Sequence, residues 1–161
     1  MPSSFLEVGL EAEKRWQELI AGERPWIRIG TALCGEAAGA FEVAGAVEAE
    51  LASQGVSAEV SRVGCLGLCF AEPLLDVQLP GGHRIFYGNV STGDVAEIVS
   101  SHVSGGMPIT AKALGYIAEE NSDAPLPDGI PDLNQHPMKI WENRIVLKNA
   151  GNIDPLDIYQ I

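Results

Sequence analysis

The chain has 161 residues, 46% hydrophobic and 20% charged, which is enough apolar content for one packed core with an additional arm and too much for a disordered chain. Ten Lys and Arg stand against 22 Asp and Glu, and the net charge of −12 sets aside nucleic acid and anionic membrane surfaces as partners. No apolar run approaches the ~20 residues of a spanning helix and the first twenty residues lack a signal-peptide core, so the expected location is cytoplasmic, where three cysteines point to metal binding or buried thiols rather than a structural disulfide.

Residues 1–24 read as an N-terminal helix. Ser3 and Ser4 are its candidate caps, and Leu6, Leu10, Trp16 and Leu19 recur at helical spacing among charged neighbours. Pro25 ends it. Trp26 to Thr31 reads as a strand, with Ile27 and Ile29 flanking Arg28, and leads to Cys34. Ala40, Val43, Ala44, Val47 and Leu51 mark the buried face of a helix that stops at Gly55. A second strand through Val56, Ala58 and Val60 runs toward Cys65. If the two strands lie parallel, both cysteine segments emerge at one end of the sheet.

Leu75, Val77 and Leu79 alternate with Asp76 and Gln78, Pro80-Gly81-Gly82 signals a turn, and His83 to Tyr87 returns as the partner strand. Arg84 and Phe86 should share one face of it, with Ile85 and Tyr87 on the other. Ser91 and Asp94 have capping-box spacing ahead of a helix whose buried stripe is Val95, Ile98 and Val99. Residues 25–104 thus predict an α/β domain, a small mixed sheet flanked by helices. Residues 105–161 read as an arm. It carries Pro108, Pro125, Pro127, Pro131 and Pro137, a short amphipathic stretch from Ala111 to Glu119, and a β-like run at Arg144-Ile-Val-Leu147.

Chemistry concentrates in the cysteines. Cys34 lies in Thr31-Ala-Leu-Cys-Gly-Glu36, and Cys65 and Cys69 lie in Gly64-Cys-Leu-Gly-Leu-Cys-Phe70. Both segments read as glycine-bracketed loops, in which backbone N–H groups can turn toward anionic sulfur. Three further readings stay open: plain burial for Cys34, a reversible disulfide for Cys65 and Cys69, and zinc, although the spacing is not the paired C-x-x-C of zinc sites. No dinucleotide or phosphate loop and no nucleophile–base pair is present.

The segments Gly30-Thr-Ala-Leu-Cys-Gly-Glu-Ala-Ala-Gly39, Val63-Gly-Cys-Leu-Gly-Leu-Cys69 with Glu72-Pro73, and Tyr87-Gly-Asn-Val90 resemble the thioredoxin-like [2Fe-2S] ferredoxin domain. That domain also forms the N-terminal module of flavin-containing NADH-binding subunits in complex I, hydrogenase and formate dehydrogenase assemblies. The tail, from His136-Pro137 through Arg144-Ile-Val-Leu-Lys-Asn-Ala-Gly to Ile153-Asp-Pro155, resembles the opening segment of the flavoprotein that follows the module. The resemblance implies an electron-transfer module of an NADH:acceptor oxidoreductase, inactive alone toward NADH, with a [2Fe-2S] cluster on Cys34, Cys65 and Cys69.

FMN and NAD are expected only in the neighbouring domain. The implied partners are that flavin/NADH-binding domain or subunit and other iron–sulfur subunits, with a second copy of the chain as a further one. The pattern implies a fourth cysteine at position 29, where this chain has Ile29, and Ala150 stands where the flavoprotein segment commonly has cysteine. The fourth donor would then be Glu36, a histidine such as His83 or His102, solvent or another chain; otherwise the chain is a cluster-free docking module, or a thiol–disulfide protein using Cys65 and Cys69.

Overall fold

A computed structural model describes residues 4–120 and 122–157. Helix α1 (Phe5–Ile20) starts where the Ser4 hydroxyl accepts from the Glu7 N–H and the Glu7 carboxylate accepts from the Ser4 N–H, a complete capping box. The alternative cap, Ser3, lies outside the described residues. Of the apolar residues at helical spacing, only Trp16 and Leu19, in the second half of α1, are half-buried. Leu6 and Leu10 are exposed, and contact with the body begins at Trp16, whose ring meets Trp26 edge-on at 6.2 Å.

Five strands, β1 (Trp26–Gly30), β2 (Glu59–Val63), β3 (Leu75–Gln78), β4 (Arg84–Tyr87) and β5 (Ala113–Ile117), form one mixed sheet in the order β2-β1-β3-β4-β5. β1 is buried at every position. It pairs parallel with β2 and antiparallel with β3, which forms the expected hairpin with β4. Gly81, at φ +69°, supplies the left-handed residue that the hairpin turn requires. Between β1 and β2 run α2 (Leu33–Ala38) and α3 (Ala40–Gln54); α3 buries Ala40, Val43, Ala44, Val47 and Leu51 and ends on Gly55 in the left-handed conformation. After β4, α4 (Val95–Glu97) continues as a π-wound turn over Ile98–Ser104. The Asp94 carboxylate accepts from both the backbone N–H and the hydroxyl of Ser91.

Alternation along the strands divides the apolar residues between two faces. Ile27, Ile29, Val77, Ile85 and Tyr87 pack with α3, α4 and the π-turn, while Phe86 lies opposite, with Leu66, Leu68, Ala71, Leu74 and Leu133. On that second face Arg28 sits beside Asp76 in the β1–β3 register, and Asp76 also accepts from Arg84, so three charges are buried together.

Two stretches of the arm differ from expectation. Residues 113–117, part of the predicted amphipathic stretch, are strand β5 (Ala113–Ile117), antiparallel to β4. Gly115 permits this, because a Cβ there would fall 2.7 Å from Leu133 Cγ and 2.8 Å from the Pro131 oxygen. The second stretch, Arg144–Leu147, forms bends and turns rather than a strand, since no neighbouring strand offers it a ladder, and it leaves Ile145 and Val146 exposed.

Candidate metal centre

The parallel pairing of β1 and β2 places Gly30 beside Val63, and the Thr31 N–H donates to the Val63 oxygen at 3.0 Å. Both cysteine segments therefore leave the sheet at one rim, as the strand order predicted. The first is not an open loop: Cys34 lies in the first turn of α2. This helix can form against β1 because position 35 is glycine. A Cβ on Gly35 would fall 2.1 Å from the Gly30 oxygen.

The second segment is a true loop. Gly67 takes φ +83°, which turns its N–H back to the Cys65 sulfur at 3.2 Å, and the chain then closes into a 3₁₀ turn over Cys69–Ala71. The Cys65 and Cys69 sulfurs are 3.7 Å apart. Two thiolates on one tetrahedral ion with bonds of about 2.3 Å stand about 3.8 Å apart, so this pair fits one metal ion without rearrangement.

Burial pushes the Cys65 thiol up, with the Gly67 N–H acting in the opposite direction. Nearby, Glu72 is 7% exposed, and its carboxyl is likewise pushed up by burial. Its Oε2 accepts from the Leu74 N–H at 2.8 Å, while Oε1 has no hydrogen-bond partner. Both oxygens lie 3.2 Å from where a Gly30 Cβ would stand, so the glycine makes room for the carboxylate. In the sequence Glu72 stands out only as the residue before Pro73. The available signal was an acidic residue between apolar Ala71 and a proline, three positions past Cys69.

The three cysteines are free thiols, with Cys34 and Cys69 exposed and Cys65 half-buried. Among the described residues, no three His, Cys, Asp or Glu side chains gather as a metal-binding group, so the structure brings together Cys65 and Cys69 but does not gather Cys34 with them. Ile29 is fully buried in the helix-side core. Glu36 is exposed on α2.

His83 and His102 are engaged elsewhere, whereas the His136 ring stacks on that of Phe70, the residue after Cys69, at 5.6 Å. His83, one of the candidate fourth donors, is buried, with ring nitrogens on the Ala124 oxygen and the Glu119 N–H. His102 is buried against Tyr87. A cleft of about 800 Å3 between Trp16, Trp26, Arg28, Arg84 and the arm is lined by none of the three cysteines. The Cys65–Cys69 pair thus has the sulfur spacing of two thiolates on one metal ion.

No family model matches the chain. It is 31% identical over 84 residues to the NADP-reducing hydrogenase subunit HndB of Solidesulfovibrio fructosivorans, an alignment covering 52% of this chain and 67% of that protein. It is 42% identical over 59 residues to a 2Fe-2S ferredoxin of Clostridium pasteurianum, covering 35% of this chain and 55% of that one. The chain therefore spans about two thirds of the first relative and about half of the second. A solved thioredoxin-like [2Fe-2S] ferredoxin from Aquifex aeolicus superposes with a TM-score of 0.51 at 21% identity, over 61% of this chain and 96% of that one, a likeness of fold. With that fold, this sheet order and the relationship to HndB, the chain belongs to the thioredoxin-like [2Fe-2S] ferredoxin family.

Proposed function

We propose that this chain is an electron-transfer module of a multi-subunit, hydrogenase-type NAD(P)-linked oxidoreductase, exchanging electrons with a flavin in a neighbouring domain or subunit. The observation that carries this is the Cys65–Cys69 pair, with sulfurs 3.7 Å apart and a backbone N–H already aimed at one of them. When bound, a [2Fe-2S] cluster supplies one-electron capacity. Cys65 and Cys69 would hold one iron, Cys34 would contribute the third thiolate, and the fourth donor would be Glu36, solvent or a partner chain.

Residues 25–104 with strand β5 from the arm form the electron-carrying module in this reading, and the rest of residues 105–161 leads into the flavoprotein that binds FMN and NAD. Partners are that flavoprotein and other iron–sulfur subunits. Three thiols kept free suit the reducing cytoplasm, and among the described residues no helix is long and apolar enough to cross a membrane.

Anaerobic purification followed by iron, acid-labile sulfide and visible-absorption measurements tests the proposal. We expect two irons and two sulfides per chain, lost in Cys65→Ser and Cys69→Ser. The full burial of Ile29 favours a second reading, a cluster-free docking module of the same assembly. Protein that stays colourless after reconstitution yet binds its flavoprotein partner selects that reading and overturns the first.

A further inference from the structure

One peptide group in the second cysteine loop is held from both sides. Its N–H, on Gly67, points at the Cys65 sulfur, and its carbonyl, on Leu66, accepts from Arg144 Nη2 at 2.5 Å. In a planar trans peptide the C=O and N–H directions are opposed, so whatever fixes the carbonyl also fixes where the N–H points. Gly67 at φ +83° could otherwise swing widely.

Arg144 is itself anchored. Its Nε donates to Glu142, which Lys139 also holds at 2.7 Å, and its Nη1 donates to the Ala150 oxygen at 3.2 Å. The next residue, Gly151, packs so closely on the Leu66 side chain that a Cβ there would lie 2.3 Å from Leu66 Cδ2, and its oxygen accepts from the buried Arg84 at 3.0 Å. The arm thus clasps Leu66 by both main chain and side chain.

We propose that Arg144 is a positioning residue for the cysteine pair: by gripping the Leu66 carbonyl it turns the Gly67 N–H onto the Cys65 sulfur and holds it there. A cationic donor on the carbonyl also polarises the peptide and strengthens its N–H as a donor. The consequence for electron transfer rests on the reading of Cys65 and Cys69 given above. Hydrogen bonds to sulfur are among the determinants of cluster potential, because they offset the extra negative charge of the reduced state. The hydrogen-bond geometry itself does not rest on that reading.

The test uses the full chain with Arg144→Gln and Arg144→Lys. In metal-free protein, Gly67 amide exchange followed by NMR should quicken about tenfold in Arg144→Gln, as expected for loss of one local hydrogen bond, and stay near wild type in Arg144→Lys. In protein reconstituted with iron and sulfide, the midpoint potential should fall in Arg144→Gln and recover in Arg144→Lys. Wild-type exchange at Gly67 in Arg144→Gln overturns the proposal, as does equal acceleration across the whole sheet, which marks unfolding instead of a local change. A wild-type chain that takes up no iron defeats the proposed function alone, since the Gly67 measurement still decides the role of Arg144.

Discussion

The Tyr87 hydroxyl lies 2.9 Å from Nδ1 of His102, a buried residue of the π-wound turn, and Tyr87 is itself buried. The Ile109 N–H donates to the same hydroxyl oxygen at 3.2 Å, and a neutral His102 leaves Nδ1 able to accept a hydrogen bond from the phenol. Burial lowers the His102 pKa from 6.5 to about 4 and pushes Tyr87 up to about 12. An unfolded chain takes a proton on His102 near pH 6.5, whereas the folded chain resists until about pH 4. Between those values the unfolded state binds more protons, so stability rises with pH; the contribution is whole above 6.5 and lost below about 4. The loss amounts to about 3 kcal/mol. Urea unfolding of wild type and His102→Gln at about pH 7 and pH 4 should show a pH dependence smaller by that amount in the variant; equal slopes would exclude His102 as the responsible group.

Asp76 serves two guanidinium groups inside the sheet. Burial alone would raise its pKa, yet Arg28 and Arg84 together hold it below the usual carboxylate range. Replacing Asp76 with Asn leaves two cations facing each other out of water, at a cost of about 3–5 kcal/mol. Arg28→Met should cost less, because Arg84 and Asp76 remain paired. Guanidinium-chloride midpoints of the two variants measure the ordering, and the reverse ordering would refute this account.

Ile29 marks the position where the family pattern places a cysteine, and its side chain is sealed under α3. An Ile29→Cys chain should therefore carry a thiol that alkylates at least about a hundredfold more slowly than those of Cys34 and Cys69, reacting only through opening of the fold. Mass spectrometry after timed exposure to iodoacetamide resolves this. Fast labelling of the new thiol would mean that β1 delivers position 29 to the rim.

Gly35 tolerates no side chain, since its Cβ would fall 2.1 Å from the Gly30 oxygen, an atom fixed within the sheet. Gly35→Ala should destabilise the chain by about 1–3 kcal/mol or more through overpacking and push α2 away from β1. Thermal melting reads the first effect. The second would appear as altered alkylation of Cys34, and an unchanged melt with unchanged labelling would refute the packing argument.

Much of the sheet was legible because its signals are local. The alternation that separates Arg84 and Phe86 from Ile85 and Tyr87, the Gly81 turn and the α3 stripe all arise from short-range periodicity and from glycine at positive φ. The parallel β1–β2 pairing then put both cysteine segments at one rim. Contacts between distant residues were not legible. Arg28 and Asp76 alternate like solvent-facing residues, and only the packing of the second face reveals them as buried. Residues 113–117 looked like part of a proline-rich arm because their ladder depends on β4 and on the Leu133 contact at Gly115. Arg144 and Leu66 are 78 positions apart, and no pattern near either residue announces their bond. At the site, spacing identified the Cys65–Cys69 pair, whereas the helical setting of Cys34 and the burial of Glu72 required the fold.

The two outer strands of the sheet are guarded in different ways. On β2, Glu59 is engaged by Arg24 and Arg62 by Glu48, so an incoming backbone at that margin meets charge. On β5, the chain's own Pro131 accepts from the Tyr116 N–H, and Tyr116 bridges Asp132 in parallel. Growth by strand addition is thereby discouraged at both margins, which directs association with other subunits to side-chain surfaces and leaves the thiol-bearing rim clear of any continuous intermolecular sheet.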